Sequence, residues 1–465
     1  MVYRLLTIIT PFVTTPILSR ALGAERLGVY SASLAWVNYF VLLSMLGINN
    51  YGNRCIASAQ SDDSERQKLF WNIYCVQFCA CIAAILFYVA SFIVITPERY
   101  TITTVQGLWL LSSLLNINWY FFGTERFRLT ITRSIIIKII SVSLIVTLIR
   151  QPDDLALYAL IMAGDAVLSN GLLWPFLIKD LRYQKPTWSA VRQHIRPAFL
   201  LFIPVLAISV FHVMDKTMLD FLSTESEVGY YYSADKVINI PLMAITAVST
   251  VMMPRISNLY STGSEEDVNN IIHQSFELTV FLTCSLGIGI ASIAKEFIPL
   301  FFGMGYDPCI NLVYWFIPVL FVKSISDFIR MQYIIPTHHD KLYIYAICTG
   351  ALINAAFNAM LIPHHGAIGA VWATLIAEIT VAVFQVYFVR NALPLAHFFL
   401  LNSLYLLFSA IMLVAVRALA VHLGLSVWLK LFCMVCTGAA VYICCCVIYW
   451  RHRTDSVFHS LFIKH

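Results

Sequence analysis

What most constrains this chain is the recurrence of apolar runs of about twenty residues, one after another, along almost its whole length. A helical run of that length spans the roughly 30 Å of hydrocarbon in a bilayer. Charge is correspondingly scarce: 12 % of residues are charged and 60 % hydrophobic, whereas soluble domains are about 25 % charged. Sixty per cent of 465 residues is about 279, enough for roughly fourteen spans at about 20 residues each. An ordinary water-soluble enzyme is excluded. The net charge of +5 is not gathered into a basic stripe, so nucleic acid is excluded as a partner. The 12 cysteines lie mostly inside apolar runs, which indicates neither a disulfide scaffold nor a metal site. Cys444, Cys445 and Cys446 read as apolar packing rather than acylation sites. No cofactor is expected.

Runs bounded by charge, proline or polar clusters place spans near 4–19, 28–48, 70–96, 102–122, 134–149 and 156–178. After a polar, basic stretch over 179–197, six more follow near 198–221, 236–254, 276–296, 310–331, 342–362 and 367–389. Two further runs, near 396–421 and 425–449, complete an all-α polytopic membrane protein of about fourteen helices. The expected division is a six-helix lobe over 1–178, a basic linker over 179–197, a second six-helix lobe over 198–390, and two extra helices with a tail over 391–465. With a cytoplasmic N-terminus, inner segments hold 19 Lys and Arg, from Arg4 to Lys464, against 7 in outer segments. By the positive-inside rule both termini are cytoplasmic. The first span is short, with 15 residues between Arg4 and Arg20, or about 22 Å. We therefore expect the natural chain to start upstream of Met1.

The halves repeat at an offset of 201 residues, pairing LSRALGAERLGVYSASLAWVN with LDFLSTESEVGYYYSADKVIN. Leu18, Gly28, Tyr30 and Asn38 coincide with Leu219, Gly229, Tyr231 and Asn239. Both segments join the first helix of a six-helix half to the second. An even helix count keeps the repeats parallel.

These residues carry a family resemblance. The run PILSRALGAERLGVYSASLAWVNYFVLLSMLGINNYGNRCIA and the segment VMDKTMLDFLSTESEVGYYYSADKV resemble Wzx-type flippases of lipid-linked oligosaccharides. The resemblance implies two six-helix lobes, two extra C-terminal helices and alternating access. It also implies a bacterial cytoplasmic-membrane setting and work alongside a polysaccharide polymerase and chain-length machinery. The superfamily includes multidrug extruders and peptidoglycan-precursor flippases.

An ionisable group within a span costs roughly 2.5–3.5 kcal/mol on insertion scales, so each one asks for a reason. Asp165 and Glu378 fall near the middle of the sixth and twelfth spans. Desolvation disfavours their charged form, which suits binding and release of a coupling proton or sodium ion; helix–helix bonding is the competing reading. Lys216, Lys323, Arg20, Lys138 and Arg330 are the candidate cations for a lipid diphosphate. The structural alternatives are snorkelling of Lys138 and Lys216, and a pair between Lys323 and Asp327 along one helix face.

Asn116, Asn118, Asn354, Asn358, Trp36, Trp119 and Tyr120 suit either sugar binding or packing. Pro11, Pro16 and Pro204 are expected bending points. Two other functions stay open. One is extrusion of cationic drugs, against which the two extra helices argue. The other is a membrane enzyme acting on lipid-linked sugars, whose candidates Asp62-Asp63, His338-His339-Asp340 and His364-His365 read as solvated turns.

Overall fold

The computed structural model describes residues 2–93, 99–263, 265–453 and 458. Lys464 and the side chain of Arg4, both used in the orientation argument, lie outside the described set. All regular structure among the described residues is helical. The chain begins with α1 (Val2–Met45), α2 (Ile48–Ser58), α3 (Asp63–Ala90), α4 (Tyr100–Leu114) and α5 (Asn118–Gly123). It continues through α6 (Phe127–Leu148), α7 (Leu155–Gly171), α8 (Trp174–Asp180), α9 (Trp188–Leu222) and α10 (Glu225–Thr262). Six more follow: α11 (Glu265–Phe302), α12 (Pro308–Ile329), α13 (Asp340–Val389), α14 (Leu395–Asn402), α15 (Leu404–His422) and α16 (Val427–His452).

Among the described residues, 11 helical segments are long and apolar enough to cross a membrane. Thr10–Ser58 and Asp340–Val389 hold 49 and 50 residues, about 75 Å of helix and more than twice the hydrocarbon thickness. Each folds back at a glycine in the left-handed region, Gly23 at φ 74° and Gly366 at φ 54°, where any side chain would be strained. The chain is a multi-pass, all-α membrane protein. Pro11, Pro16, Pro197 and Pro204 sit inside continuous helices. In α1 the interruption therefore falls at Gly23 rather than at the expected prolines, because φ near −65° is compatible with helix while φ 74° is not. Arg20 lies in the last turn before that break.

The chain divides into two compact units, Met1–Gly229 and Tyr230–His465. In the first, Leu18, Leu22, Tyr30, Ile102 and Tyr158 form one apolar cluster, and Phe70, Ile117, Trp119 and Tyr120 another. In the second, Phe276, Phe328 and Phe398 pack together, as do Tyr405, Met412, Tyr442 and Trp450. Leu86, Phe87, Leu352 and Val414 point outward at 66–74 % exposure, a pattern suited to lipid rather than water.

The repeat seen in sequence has a structural counterpart inside the first unit. A Cβ placed on Gly28 would lie 1.8 Å from the carbonyl oxygen of Glu225, and one on Gly229 would lie 1.8 Å from that of Ala24. Ala24 and Glu225 differ by the same 201 positions as Gly28 and Gly229. The two repeat copies therefore touch through equivalent atoms in both directions, which defines a local two-fold relation. Only glycine lets backbones meet this closely, the small-residue packing that serves where lipid removes any hydrophobic drive. The break at Gly23 corresponds likewise to Thr224 in the turn between α9 and α10.

Candidate functional site: buried charges on α12 and α13

α12 carries Lys323, Asp327 and, at its C-terminal edge, Arg330, spaced to share one helix face. Arg330 opens a π-helical turn over Arg330–Ile334, an irregularity often found where a helix serves a site. Its guanidinium bonds Asp327 Oδ1 at 2.7 Å and lies over the Tyr343 ring at 5.2 Å. Lys323 Nζ lies 3.8 Å from Glu378 Oε1 on α13. The side chain of Glu378 is 5 % exposed and that of Lys323 24 %. The structure thus joins two residues to which the sequence assigns separate tasks. It also corrects the alternative pairing of Lys323 with Asp327: the forked Arg330 reaches that carboxylate at shorter range, leaving Lys323 to face α13.

The first unit holds the other candidates. Asp165 on α7 accepts a 2.7 Å hydrogen bond from Ser141 Oγ on α6 and is partly buried. Lys138 is half-buried one turn away on α6, Arg20 is exposed on α1, and Lys216 is half-buried on α9 beside buried Asp215. These cations stand on three different helices. On α9, Thr217 Oγ1 also bonds the hydroxyl of Tyr39 at 3.3 Å.

Three clusters were not singled out in the sequence. Glu277 on α11 is fully buried, accepts a bond from Tyr405 Oη at 2.7 Å, and lies 3.7 Å from Arg453. Trp450 Nε1 in turn donates to Tyr405 Oη at 2.8 Å. Near the opposite end of α11, Glu296 pairs with Arg417 at 2.8 Å and Lys430 at 3.5 Å. The last two membrane helices are therefore tied to α11 at both ends. In the first unit, Arg99 binds Asp220 and Glu225, both at 2.7 Å, next to the glycine crossing. Each of the charged partnerships spans more than a hundred residues of sequence, and the only local signal was a charge in or beside an apolar run.

Several other candidates serve packing. Trp119 and Tyr120 are fully buried, and Trp119 Nε1 donates to Gln77. Asn118 bonds Asn116, Asn170 and Arg133, while Asn358 bonds Asn354 at 3.1 Å in a buried setting. Asp62 caps α3 through Ser64 and Glu65. Cys433 and Cys436, a C-x-x-C spacing that the sequence reading passes over, are free thiols within α16.

Long apolar helices, a folded repeat and a few paired charges inside the spans define a multi-pass transporter-type membrane protein. The family model for polysaccharide biosynthesis proteins matches residues 1–260, and the chain belongs to that family. It is 21 % identical over 388 residues to a putative O-antigen transporter of Escherichia coli K12, covering 82 % of this chain and 92 % of the relative. Its fold resembles the lipid II flippase MurJ in an inward closed conformation, with a TM-score of 0.76 at 18 % identity over 97 % of this chain and 99 % of that one. It also resembles an inward-facing MATE multidrug transporter of the MOP superfamily, with a TM-score of 0.60 at 12 % identity over 84 % of this chain and 94 % of that one. The named relatives and structural neighbours are transporters and flippases, and this chain is a multi-pass membrane protein of the polysaccharide biosynthesis family.

Proposed function

We propose that this protein moves isoprenoid-diphosphate-linked oligosaccharide units from the inner to the outer leaflet of a bacterial cytoplasmic membrane, for assembly of surface polysaccharide. It does so by alternating access, with fourteen spans and both termini cytoplasmic. The observation that carries the cargo reading is the placement of two cations, Lys323 and Arg330, on one face of a membrane helix. A diphosphate taken out of water needs charge-assisted donors, and lysine and arginine supply them. Lys216, Arg20 and Lys138 complete the proposed cationic set. Asp165 and Glu378 are the proposed sites of response to a proton or sodium gradient, since carboxylates inside a span are the groups whose charge such an ion can change. The tight Gly28–Gly229 crossing, latched by Arg99, is the proposed closure on the outer side. A polysaccharide polymerase and its chain-length machinery take the product.

Removing the protein from its host should trap lipid-linked repeat units on the cytoplasmic leaflet, and resupplying it should restore surface polysaccharide. Leaflet-specific labelling of the lipid-linked sugars makes the measurement. An unchanged distribution in the deleted strain refutes the reading.

A further inference from the structure

We propose that the face where α11, α15 and α16 meet binds one anionic bilayer phospholipid, with an acyl chain along an apolar groove and the phosphodiester on Arg417 and Lys430. The site goes beyond the transport reading and needs only the membrane-spanning fold.

The groove follows α11 from Phe281 past Gly289 to Ile293 and is walled by Met412 of α15 and by Met434 and Gly438 of α16. Its cavity of about 350 Å³ falls within the size range of small-ligand sites. Phe281 and Ile293 are about 18 Å apart along the helix axis, close to the roughly 15 Å of hydrocarbon that one leaflet contributes. A groove of that length suits a single acyl chain. At one end Tyr442 Oη closes on the Phe281 carbonyl at 3.0 Å. At the other end the charges begin. Glu296 follows Ile293 by three residues, Arg417 follows Met412 by five, and Lys430 precedes Met434 by four. All three helices therefore place a charge about one turn beyond the same end of the groove, the order in which a phospholipid carries its chain and its head group.

The charges there do not balance. Glu296 pairs with Arg417 at 2.8 Å and faces Lys430 at 3.5 Å, so one carboxylate serves two cations and one positive charge is in excess. Tyr314 of α12 stands near Arg417 and Glu296 and, as a neutral phenol, does not alter that sum. Donors also remain. Arg417 engages Glu296 and the Ser292 carbonyl through Nη1 alone, whereas a guanidinium offers five N–H groups. The ammonium of Lys430 stands beyond the 2.7–2.9 Å of a charge-assisted bond. Both side chains stay accessible, at 34 % and 22 % exposure. A phosphodiester brings one negative charge and acceptor oxygens for these donors. A zwitterionic lipid brings the same phosphate with a cation of its own, which the excess charge repels. Basic pockets between membrane helices take anionic head groups in this way. Because the groove is shared by α11 and the last two helices, a lipid seated there joins all three.

The test uses the full-length protein, delipidated in mild detergent, with dioleoyl phosphatidylglycerol as the probe and native mass spectrometry to count bound lipid. Wild type should retain one phosphatidylglycerol about tenfold more tightly than dioleoyl phosphatidylcholine, the equivalent of one charge-assisted contact. Lys430→Gln leaves the Arg417–Glu296 pair in place and should bring phosphatidylglycerol down to the phosphatidylcholine level. Lys295→Gln, at an exposed neighbour on α11, should change nothing. Gly289→Leu fills the groove, since a Cβ there meets only Met412 Cε, 3.9 Å away. It should weaken retention of both lipids about tenfold with every charge untouched. Equal wild-type affinity for the two lipids, or equal losses in Lys430→Gln and Lys295→Gln, overturns the phosphate contact. Unchanged retention in Gly289→Leu overturns the groove, and should that variant fail to fold, dihexanoyl phosphatidylglycerol binding as tightly as the dioleoyl lipid overturns it equally. Displacement of phosphatidylglycerol by an equimolar isoprenyl phosphate assigns the groove to an isoprenoid and overturns the phospholipid.

Discussion

Asp165 on α7 and Glu378 on α13 are carboxylates on long apolar helices, and they stand in different company. Asp165 takes a hydrogen bond from the neutral Ser141 and is partly accessible. Glu378 is almost fully buried against a lysine. The neighbouring helix decides the difference: α6 offers Asp165 a hydroxyl, and α12 offers Glu378 an ammonium. A hydroxyl can donate to an ionised acid or accept from a protonated one, so it serves both states. An ammonium only donates, so it serves the ionised state.

The largest effect should come from breaking the charged pair. Lys323→Ala removes the ammonium that faces the buried Glu378, and taking one partner from a buried ion pair costs about 3–5 kcal/mol of stability. Thermal unfolding in detergent should show a marked loss, and adding Glu378→Leu should recover most of it, because a well-packed apolar pair often matches a buried ion pair. A loss no greater than that from Ser141→Ala would erase the distinction between the two acids.

The same contrast marks what could be read from residue order. Span positions were legible because lipid demands long apolar helices, and the ends of those runs carry the chain's few charges. The repeat was legible through four identities at one offset, and two of the matched residues, Gly28 and Gly229, prove to be the points of contact. Depth in a span singled out Glu378 and Lys323 separately. Their pairing was hidden because a helix face offers local partners first: Asp327 stands four residues from Lys323 and three from Arg330, and only side-chain geometry gives it to Arg330. Arg453 read as a loop charge for the same reason. Its burial beside Glu277 follows from the docking of α16 on α11, which no local pattern encodes.

Where the two copies of the repeat match, substitutions should match as well. Gly28→Ala and Gly229→Ala each place a methyl group against a backbone carbonyl at 1.8 Å, forcing the helices apart. Overpacking of this kind costs about 1–3 kcal/mol. The two variants should lose nearly equal stability in the same unfolding assay, and the double variant should lose less than the sum, since both methyls act on one crossing. Unequal single losses would show that the two-fold relation is confined to sequence and backbone and does not extend to energetics.

The smallest effect belongs to Ser141→Ala. It removes one donor from Asp165, and a hydrogen bond to a charged group contributes about 1.5–3 kcal/mol at most, less where water can replace it. Asp165 is partly accessible, so we expect a loss of about 1 kcal/mol or less. Thermal unfolding in detergent checks it: a loss above about 2 kcal/mol would show that water does not replace the hydroxyl at Asp165 and that this acid depends on its neighbouring helix as Glu378 does.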